Sequence, residues 1–362
     1  MRGIKKWGLW LLCLWLAACP AEGLSPRSAL VMEAQGGQVL FQLQPEERLP
    51  MASTTKLMTA LLVLRHGDPD QRVRVPACAV GIEGSSLYLT EGEEISLHDL
   101  LCALLLRSAN DAAVAAAVAI GGDEASFVAL MNATAQELGM HNTHYQNPHG
   151  LHAQGHYTTA YDLALLMRAC CEEPIFLQIS GLERCIVQAG ERGVPLVNHN
   201  KLLSLFPGVD SGKTGFTKAA GRCLVSSAVR DGLRLIAVTL NAPDDWNDHA
   251  ELYELGFEQC RLTRVFEPGE LRICVPVVGG VQAQAVLTNG ETVVLPVQKG
   301  KEPVYWVEAP PFLYAPLKRG QEVGRLRTAG ESWPLIAVEA VGREAPLTFW
   351  EKICHWLNDL FG

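Results

Sequence analysis

The 362-residue chain carries 39 acidic against 30 basic residues, a formal charge of −9, and is 48% hydrophobic and 19% charged. That is a globular composition, and the length accommodates two domains with cores of their own. No stretch forms a basic block, so nucleic acid is excluded as a partner.

Arg2, Lys5 and Lys6 lead an apolar run over residues 7–18 that is short for a bilayer span, the pattern of an export signal. Two processing ends fit it. Cleavage after Ala21 releases a soluble N-terminus, whereas Leu16-Ala17-Ala18-Cys19 resembles a lipoprotein box with Cys19 acylated, to which Pro20 is poorly suited. Of eleven cysteines, Cys13 and Cys19 lie in this leader. The remaining nine show no C-x-x-C spacing, and Cys170-Cys171 is a vicinal pair that does not readily close a bridge of normal geometry. An exported chain of this kind does not depend on a disulfide framework.

Residues 29–34 and 38–42 read as two strands around a Gly36-Gly37 turn. Pro50 and Ser53 then precede an apolar run with helical spacing that Gly67 stops. Residues 96–122 are helical in composition throughout, with Ser96 and Asp99 as a capping pair, a uniformity that hides any interior break. A helix over 124–138 follows, then a polar loop over 141–159 and a helix over 160–170. The sequence VDSGKTGFT (209–217) precedes a strand pair turned at Arg230-Asp231-Gly232, and a helix covers 244–260. Beyond residue 270 short alternating Val- and Pro-rich runs, with Asn289-Gly290 as a hairpin turn, predict a small all-β sandwich. At 100° per residue, residues 348–361 sort Trp350, Ile353, Trp356, Leu357 and Phe361 onto one face and Glu351, Lys352, Asn358 and Asp359 onto the other. This amphipathic helix suits a membrane interface; docking on its own β domain is the competing placement.

Three short patterns carry chemistry: Ser53-Thr54-Thr55-Lys56, Ser108-Ala109-Asn110 and Lys213-Thr214-Gly215. Each alone is weak, since a hydroxyl before a helix is ordinarily a cap, but their order and context are specific. With PMASTTKLMTALL, LLLRSANDAAVAAA, HNTHYQNPHGL, NHNKLL and VDSGKTGFTKAAG, residues 28–259 resemble the serine penicillin-binding proteins, specifically D-alanyl-D-alanine carboxypeptidases. The β domain and tail look like that family's C-terminal half.

A serine hydroxyl needs a base within reach, and Lys56 stands one turn from Ser53. An ammonium accepts no proton, so Lys56 requires a pKa lowered by desolvation or a nearby cation, for which Lys213 is the candidate. The resemblance implies that Ser108 relays a proton to the leaving amine and that Asn110 holds Lys56 and the substrate backbone. It further implies that Lys213 and Thr214 receive the substrate carboxylate, with Gly215 completing that triplet. The oxyanion would lie between the N–H groups of Ser53 and Phe216, donors worth about 3–4 kcal/mol each in such sites. His199 falls where some family members carry an arginine for the carboxylate, and is an uncertain helper there.

Rival readings rest on particular residues. His141, His144, His149, His152 and His156 are spaced like zinc ligands, but no H-E-x-x-H occurs, Pro148 and Gly150 prevent a continuous helix, and His149 and His156 match the family's metal-free loop. A β-lactamase shares the triplets, yet Glu173-Pro174 has Leu177 where that enzyme's water-holding asparagine would stand. A D,D-endopeptidase would use the same residues on crosslinked peptide, and a non-catalytic wall-binding protein would retain the site without turnover.

The expected organisation is therefore a leader (1–23), an α/β catalytic domain of the penicillin-binding protein and β-lactamase type with a mixed, mainly antiparallel sheet flanked by helices (24–262), an all-β domain (263–345) and a membrane-associating helix (346–362). The expected protein is exported, needs no cofactor or metal, acts on peptidoglycan stem peptides and is acylated by β-lactams.

Overall fold

The computed structural model describes residues 23–345 except 329, together with positions 350 and 353. The leader, and the tail apart from those two positions, lie outside the described residues.

In chain order, strands β1 (Ser28–Glu33) and β2 (Val39–Leu43) lead through a 3₁₀ turn (Ala52–Thr55) into helix α1 (Lys56–His66). Strands β3 (Arg72–Arg74) and β4 (Glu94–Ser96) precede helices α2 (Leu97–Cys102), α3 (Asn110–Gly121), α4 (Glu124–Glu137), α5 (Ala160–Cys171) and α6 (Pro174–Ser180). Strands β5 (Arg184–Ala189) and β6 (Arg192–Val197), the short helix α7 (Leu202–Leu205), strands β7 (Val209–Thr217), β8 (Gly221–Arg230) and β9 (Leu233–Leu240), and helix α8 (Asp245–Gln259) complete this part.

The central sheet has order β2-β1-β9-β8-β7, antiparallel at every pairing. Strand β1 is buried on both faces, and its period-2 alternation divides the core. Ala29 and Val31 join Leu235, Ala237, Leu252 and Tyr253 under α8, while Leu30 and Met32 join Ile236 and Val238 against α1, α3 and α5. Helices α1 and α3 are apolar nearly all round because they lie inside this second core rather than on its surface. The Asp231-Gly232 turn takes positive φ at both residues (50° and 81°), the twist that joins β8 tightly to β9.

Three expectations are revised. The helical run over 96–122 is broken: after α2 a π-helical turn (Ala103–Arg107) ends at Ser108, which is left-handed (φ 62°), and α3 restarts at Asn110. An L-residue there costs about 1–2 kcal/mol, offset by a local hydrogen bond from Ala109 N to Ala103 O (3.1 Å) and a tertiary one from Asn110 N to Ser85 O (2.7 Å). VDSGKTGFT does not merely precede a strand pair; it is β7, the sheet edge, and its polar, glycine-rich pattern reflects an edge that faces a cleft. Asn289-Gly290 is not a hairpin turn, because the strands on either side belong to different sheets.

Those strands are β12 and β13 of the C-terminal unit, which comprises β10 (Cys260–Phe266), β11 (Ile273–Val278), β12 (Gln284–Asn289), β13 (Val293–Gln298), β14 (Trp306–Glu308), β15 (Leu313–Tyr314), β16 (Glu322–Arg327) and β17 (Ser332–Ala337). A six-stranded sheet, β14-β16-β17-β12-β11-β15, packs with the β10–β13 ribbon around one core containing Leu287, Leu295, Leu326 and Leu335. Asn289 is fully buried where the chain crosses between them, accepting from Leu271 N (3.0 Å) and donating to Glu267 O and Glu291 O (both 2.8 Å). Its side chain thus satisfies backbone groups that a hairpin ladder would otherwise have paired. The eight described cysteines are free thiols.

Candidate active site

Ser53, Lys56, Asn110 and Lys213 come from segments far apart in sequence and meet where α1, α3 and β7 converge. Ser53 is not a helix cap: it sits within the 3₁₀ turn, whose Ala52 has positive φ (47°), and neither that turn nor α1 has a side-chain cap bond. The loop over 141–159 holds this turn from below. Its Gly150 lies so close that a Cβ there would fall 1.9 Å from Ala52 O. Thr59 Oγ1 donates to Pro148 O (2.6 Å), fastening the same loop to α1. His156 is buried beside them; its Nδ1 accepts from Gln146 N (3.0 Å), so its Nε2 carries the proton and donates to Thr55 Oγ1 (2.8 Å). Thr55 in turn donates to Ala52 O (2.8 Å).

Lys56 is fully buried, and its Nζ has three oxygen neighbours: Ser53 Oγ at 3.1 Å, Asn110 Oδ1 at 2.7 Å and His149 O at 2.5 Å. Burial, and then the charge of Lys213, hold its pKa well below the ordinary lysine value, opposed in part by Asp111. This geometry restricts where a lone pair can point. The Asn110 and His149 oxygens only accept, so a neutral Lys56 gives them its two N–H groups and turns its lone pair to Ser53, the one neighbour with a proton to yield.

Asn110 is itself fixed, donating from Nδ2 to Glu83 O at 2.5 Å. Its neighbour Asp111 is buried and accepts from Ser86 Oγ (2.6 Å), Leu87 N (3.0 Å) and Leu89 N (3.1 Å), which ties the loop over 83–89 to the head of α3. Lys213 is almost fully buried, donates to Thr214 O (2.9 Å) and is brought down by desolvation to about 7. Gly215 permits close approach of β7: a Cβ there would lie 3.0 Å from Ser53 N. The backbone leading to Phe216 therefore runs alongside the turn that carries Ser53.

A cleft of about 590 Å³ opens above these groups, lined by Ser53, Ser108, Thr214, Gly215, Phe216 and His199, and on its far side by Arg222, Asp245 and Trp246. His199 is anchored through its backbone N–H to Leu106 O (3.0 Å), and burial together with Lys213 and Arg107 lowers the pKa of its ring. It is accordingly neutral at pH 7, a poorer partner for a carboxylate than an arginine.

The remaining candidates are engaged elsewhere. Burial holds His149 at about 3 and His156 at about 4, and both sit in the loop beneath the nucleophile turn. Glu173 precedes α6 without a side-chain cap bond to it and pairs with Arg65 (3.5 Å) near the far end of α1, remote from Ser53. Sequence reasoning passed over Asp111, whose position directly after Ser108-Ala109-Asn110 was the available signal. It also passed over the Thr55–His156 link and the Arg222 wall, for which spacing gives none.

A family model described as D-alanyl-D-alanine carboxypeptidase matches residues 17–244. The chain is 32% identical over 343 residues to the D-alanyl-D-alanine carboxypeptidase DacF of Bacillus subtilis, covering 90% of this chain and 88% of that one. It is 32% identical over 347 residues to DacC of Escherichia coli, a carboxypeptidase of the same name, at 89% and 85% coverage. Penicillin binding protein 5 from Haemophilus influenzae superposes with a TM-score of 0.71 at 27% identity, over 88% of this chain and 98% of that one. An ampicillin-bound penicillin-binding protein from Listeria monocytogenes aligns with a TM-score of 0.60 at 32% identity, over 66% of this chain and all (100%) of that one. The chain belongs to the D-alanyl-D-alanine carboxypeptidase family and is a serine peptidase of that kind.

Proposed function

We propose that Ser53 is the nucleophile and Lys56 its base, in a reaction that removes the terminal D-alanine from peptidoglycan stem pentapeptides. The observation that carries this reading is the shell of Lys56: two neighbours that only accept, and Ser53 Oγ at 3.1 Å as the third. Neutral Lys56 takes the Ser53 proton as Oγ attacks the carbonyl of the penultimate D-alanine. The negative oxygen that forms is received by the N–H groups of Ser53 and Phe216. Collapse expels the amine of the terminal D-alanine, which takes a proton relayed through Ser108, and leaves an ester on Ser53. Asn110 keeps Lys56 oriented, and Lys213 holds its pKa down. Water, activated by the same lysine, then hydrolyses the ester.

A β-lactam would acylate Ser53 by the same attack. The β-lactamase alternative finds no support in Glu173, which pairs with Arg65. Penicillin labelling and D-alanine release, measured on wild type, Ser53→Ala and Lys56→Ala, test the assignment. Wild type is expected to do both and the variants neither; labelling of Ser53→Ala would refute the nucleophile.

Export through residues 1–23, with Cys19 as a lipidation site in the alternative processing, and membrane attachment through residues 346–362 complete the proposal. The apolar aromatic face of that tail is what supports attachment. Deleting residues 346–362 is expected to release the cleaved, unlipidated protein from membranes, and unchanged partition would remove the tail from the proposal.

A further inference from the structure

The cleft contains a cation that the acyl-transfer machinery leaves unused. Arg222 lies on β8 directly opposite Phe216 of β7, and so one strand away from the Lys213-Thr214-Gly215 backbone. Its guanidinium is held on two sides. Nε and Nη2 donate to the buried carboxylate of Asp245, at 3.0 Å for Nε, and the group lies 5.4 Å from the centre of the Trp246 ring. Asp245 engages two of the five N–H donors of an arginine, and the remaining three belong to a side chain that lines the same cleft as Ser53 and Thr214.

A built, immobilised guanidinium in the same cleft as a peptidase nucleophile has a chemical meaning. Asp245 and Trp246 sit at the start of α8, so the arginine is oriented by a helix of the rigid core and not by a loop. The substrate of a carboxypeptidase ends in a carboxylate, and its recognition requires a cation at neutral pH. Lys213 lies beneath the cleft with its ammonium on Thr214 O, and His199 is neutral there. Lys201 lines the cleft but is exposed. The planar fork of the Arg222 guanidinium matches a carboxylate in two-point contact.

Resting on the carboxypeptidase reading, we propose that Arg222, oriented by Asp245 and Trp246, binds the terminal carboxylate of the substrate together with the Thr214 hydroxyl, and so sets the preference for a free C-terminus. Arg222 is then a specificity-determining residue at the leaving-group end of the cleft, in the role that His199 does not fill.

The test compares kcat/KM for an acylated L-lysyl-D-alanyl-D-alanine and for the same peptide with a C-terminal amide, on wild type, Arg222→Ala and Arg222→Lys. Wild type is expected to favour the free acid. Arg222→Ala is expected to lose about 10- to 100-fold on the acid and no more than about 3-fold on the amide, the weight of one charge-assisted pair. Arg222→Lys retains the charge without the fork and falls between. The amide substrate separates recognition from folding, because a misfolded variant loses both. Parallel losses on acid and amide, or an unchanged preference, would overturn the proposal. A wild type that releases neither D-alanine from the acid nor D-alaninamide from the amide would overturn the carboxypeptidase reading itself, and the role of Arg222 with it.

Discussion

Replacing Gly150 by alanine drives a methyl group into the turn that carries Ser53. Gly150 has φ +89°, and its added Cβ would stand 1.9 Å from Ala52 O, 2.5 Å from Ala52 C and 2.9 Å from Thr55 Oγ1. Two backbone segments meet there, so no flexible side chain can absorb the clash. Either the loop or the turn shifts by more than about 1 Å, since close-packed interiors leave no slack. Left-handed backbone adds about 1–2 kcal/mol for any L-residue. A displacement of that size at the reacting hydroxyl costs on the order of 100-fold in rate. The assay is the second-order acylation rate with a chromogenic β-lactam, beside D-alanine release and thermal melting. Gly155→Ala is the matched control: its φ is +82°, but its Cβ meets only the end of the Gln146 side chain, at 3.2 Å. It shares the backbone cost without the displacement, and should melt lower while acylating within about 3-fold of wild type. Acylation by Gly150→Ala at the rate of Gly155→Ala would refute the claim that this glycine sets the position of Ser53.

Lys213→Gln removes a positive charge that lowers the Lys56 pKa; because only neutral Lys56 accepts the Ser53 proton, the acid limb of the acylation pH profile should move to higher pH. A limb that stays or moves down contradicts the coupling. Asn110→Ala takes the 2.7 Å acceptor from Lys56 and leaves Glu83 O without its donor, so acylation should drop by about 100-fold with only a modest fall in melting temperature. His149 and His156 are buried neutral, at about 3 and about 4 against 6.5 when unfolded, so the unfolded chain binds more protons between those values. Stability should be fully present above pH 6.5 and fall on acidification toward pH 4, by up to about 3 kcal/mol from His156. Urea titrations across that range should show a shallower loss for His156→Gln, and an unaltered slope would exclude this histidine as the source.

Much of the fold is local and therefore readable. The short apolar run of β1, the alternating runs of β8 and β9, the Asp231-Gly232 turn and the helical runs of α1, α4, α5 and α8 follow from local pattern and turn chemistry alone. Composition alone hid the break at Ser108, because the Leu and Ala around it support a continuous helix, and only the Ser108-Ala109-Asn110 triplet hinted at an interruption; Ser85 O and the loop tied to Asp111 make it from outside. Asn289-Gly290 misled for a related reason, since its turn chemistry is real but its strands find partners in separate sheets.

What the sequence by itself determined is the set of reacting groups: a hydroxyl one turn before a lysine, and two companion triplets that by resemblance belong with it. Side-chain chemistry and short spacings are properties of the chain and survive without a fold. What only the tertiary structure decided is the state of those groups. Burial and the proximity of Lys213 depress Lys56, the Asn110 and His149 oxygens turn its lone pair toward Ser53, and β8 meets α8 to set Arg222 on Asp245 and Trp246. Dielectric environment and orientation arise from contacts between segments separated in the chain, such as the 54 positions from Lys56 to Asn110 and the 93 from Lys56 to His149. No local pattern encodes them.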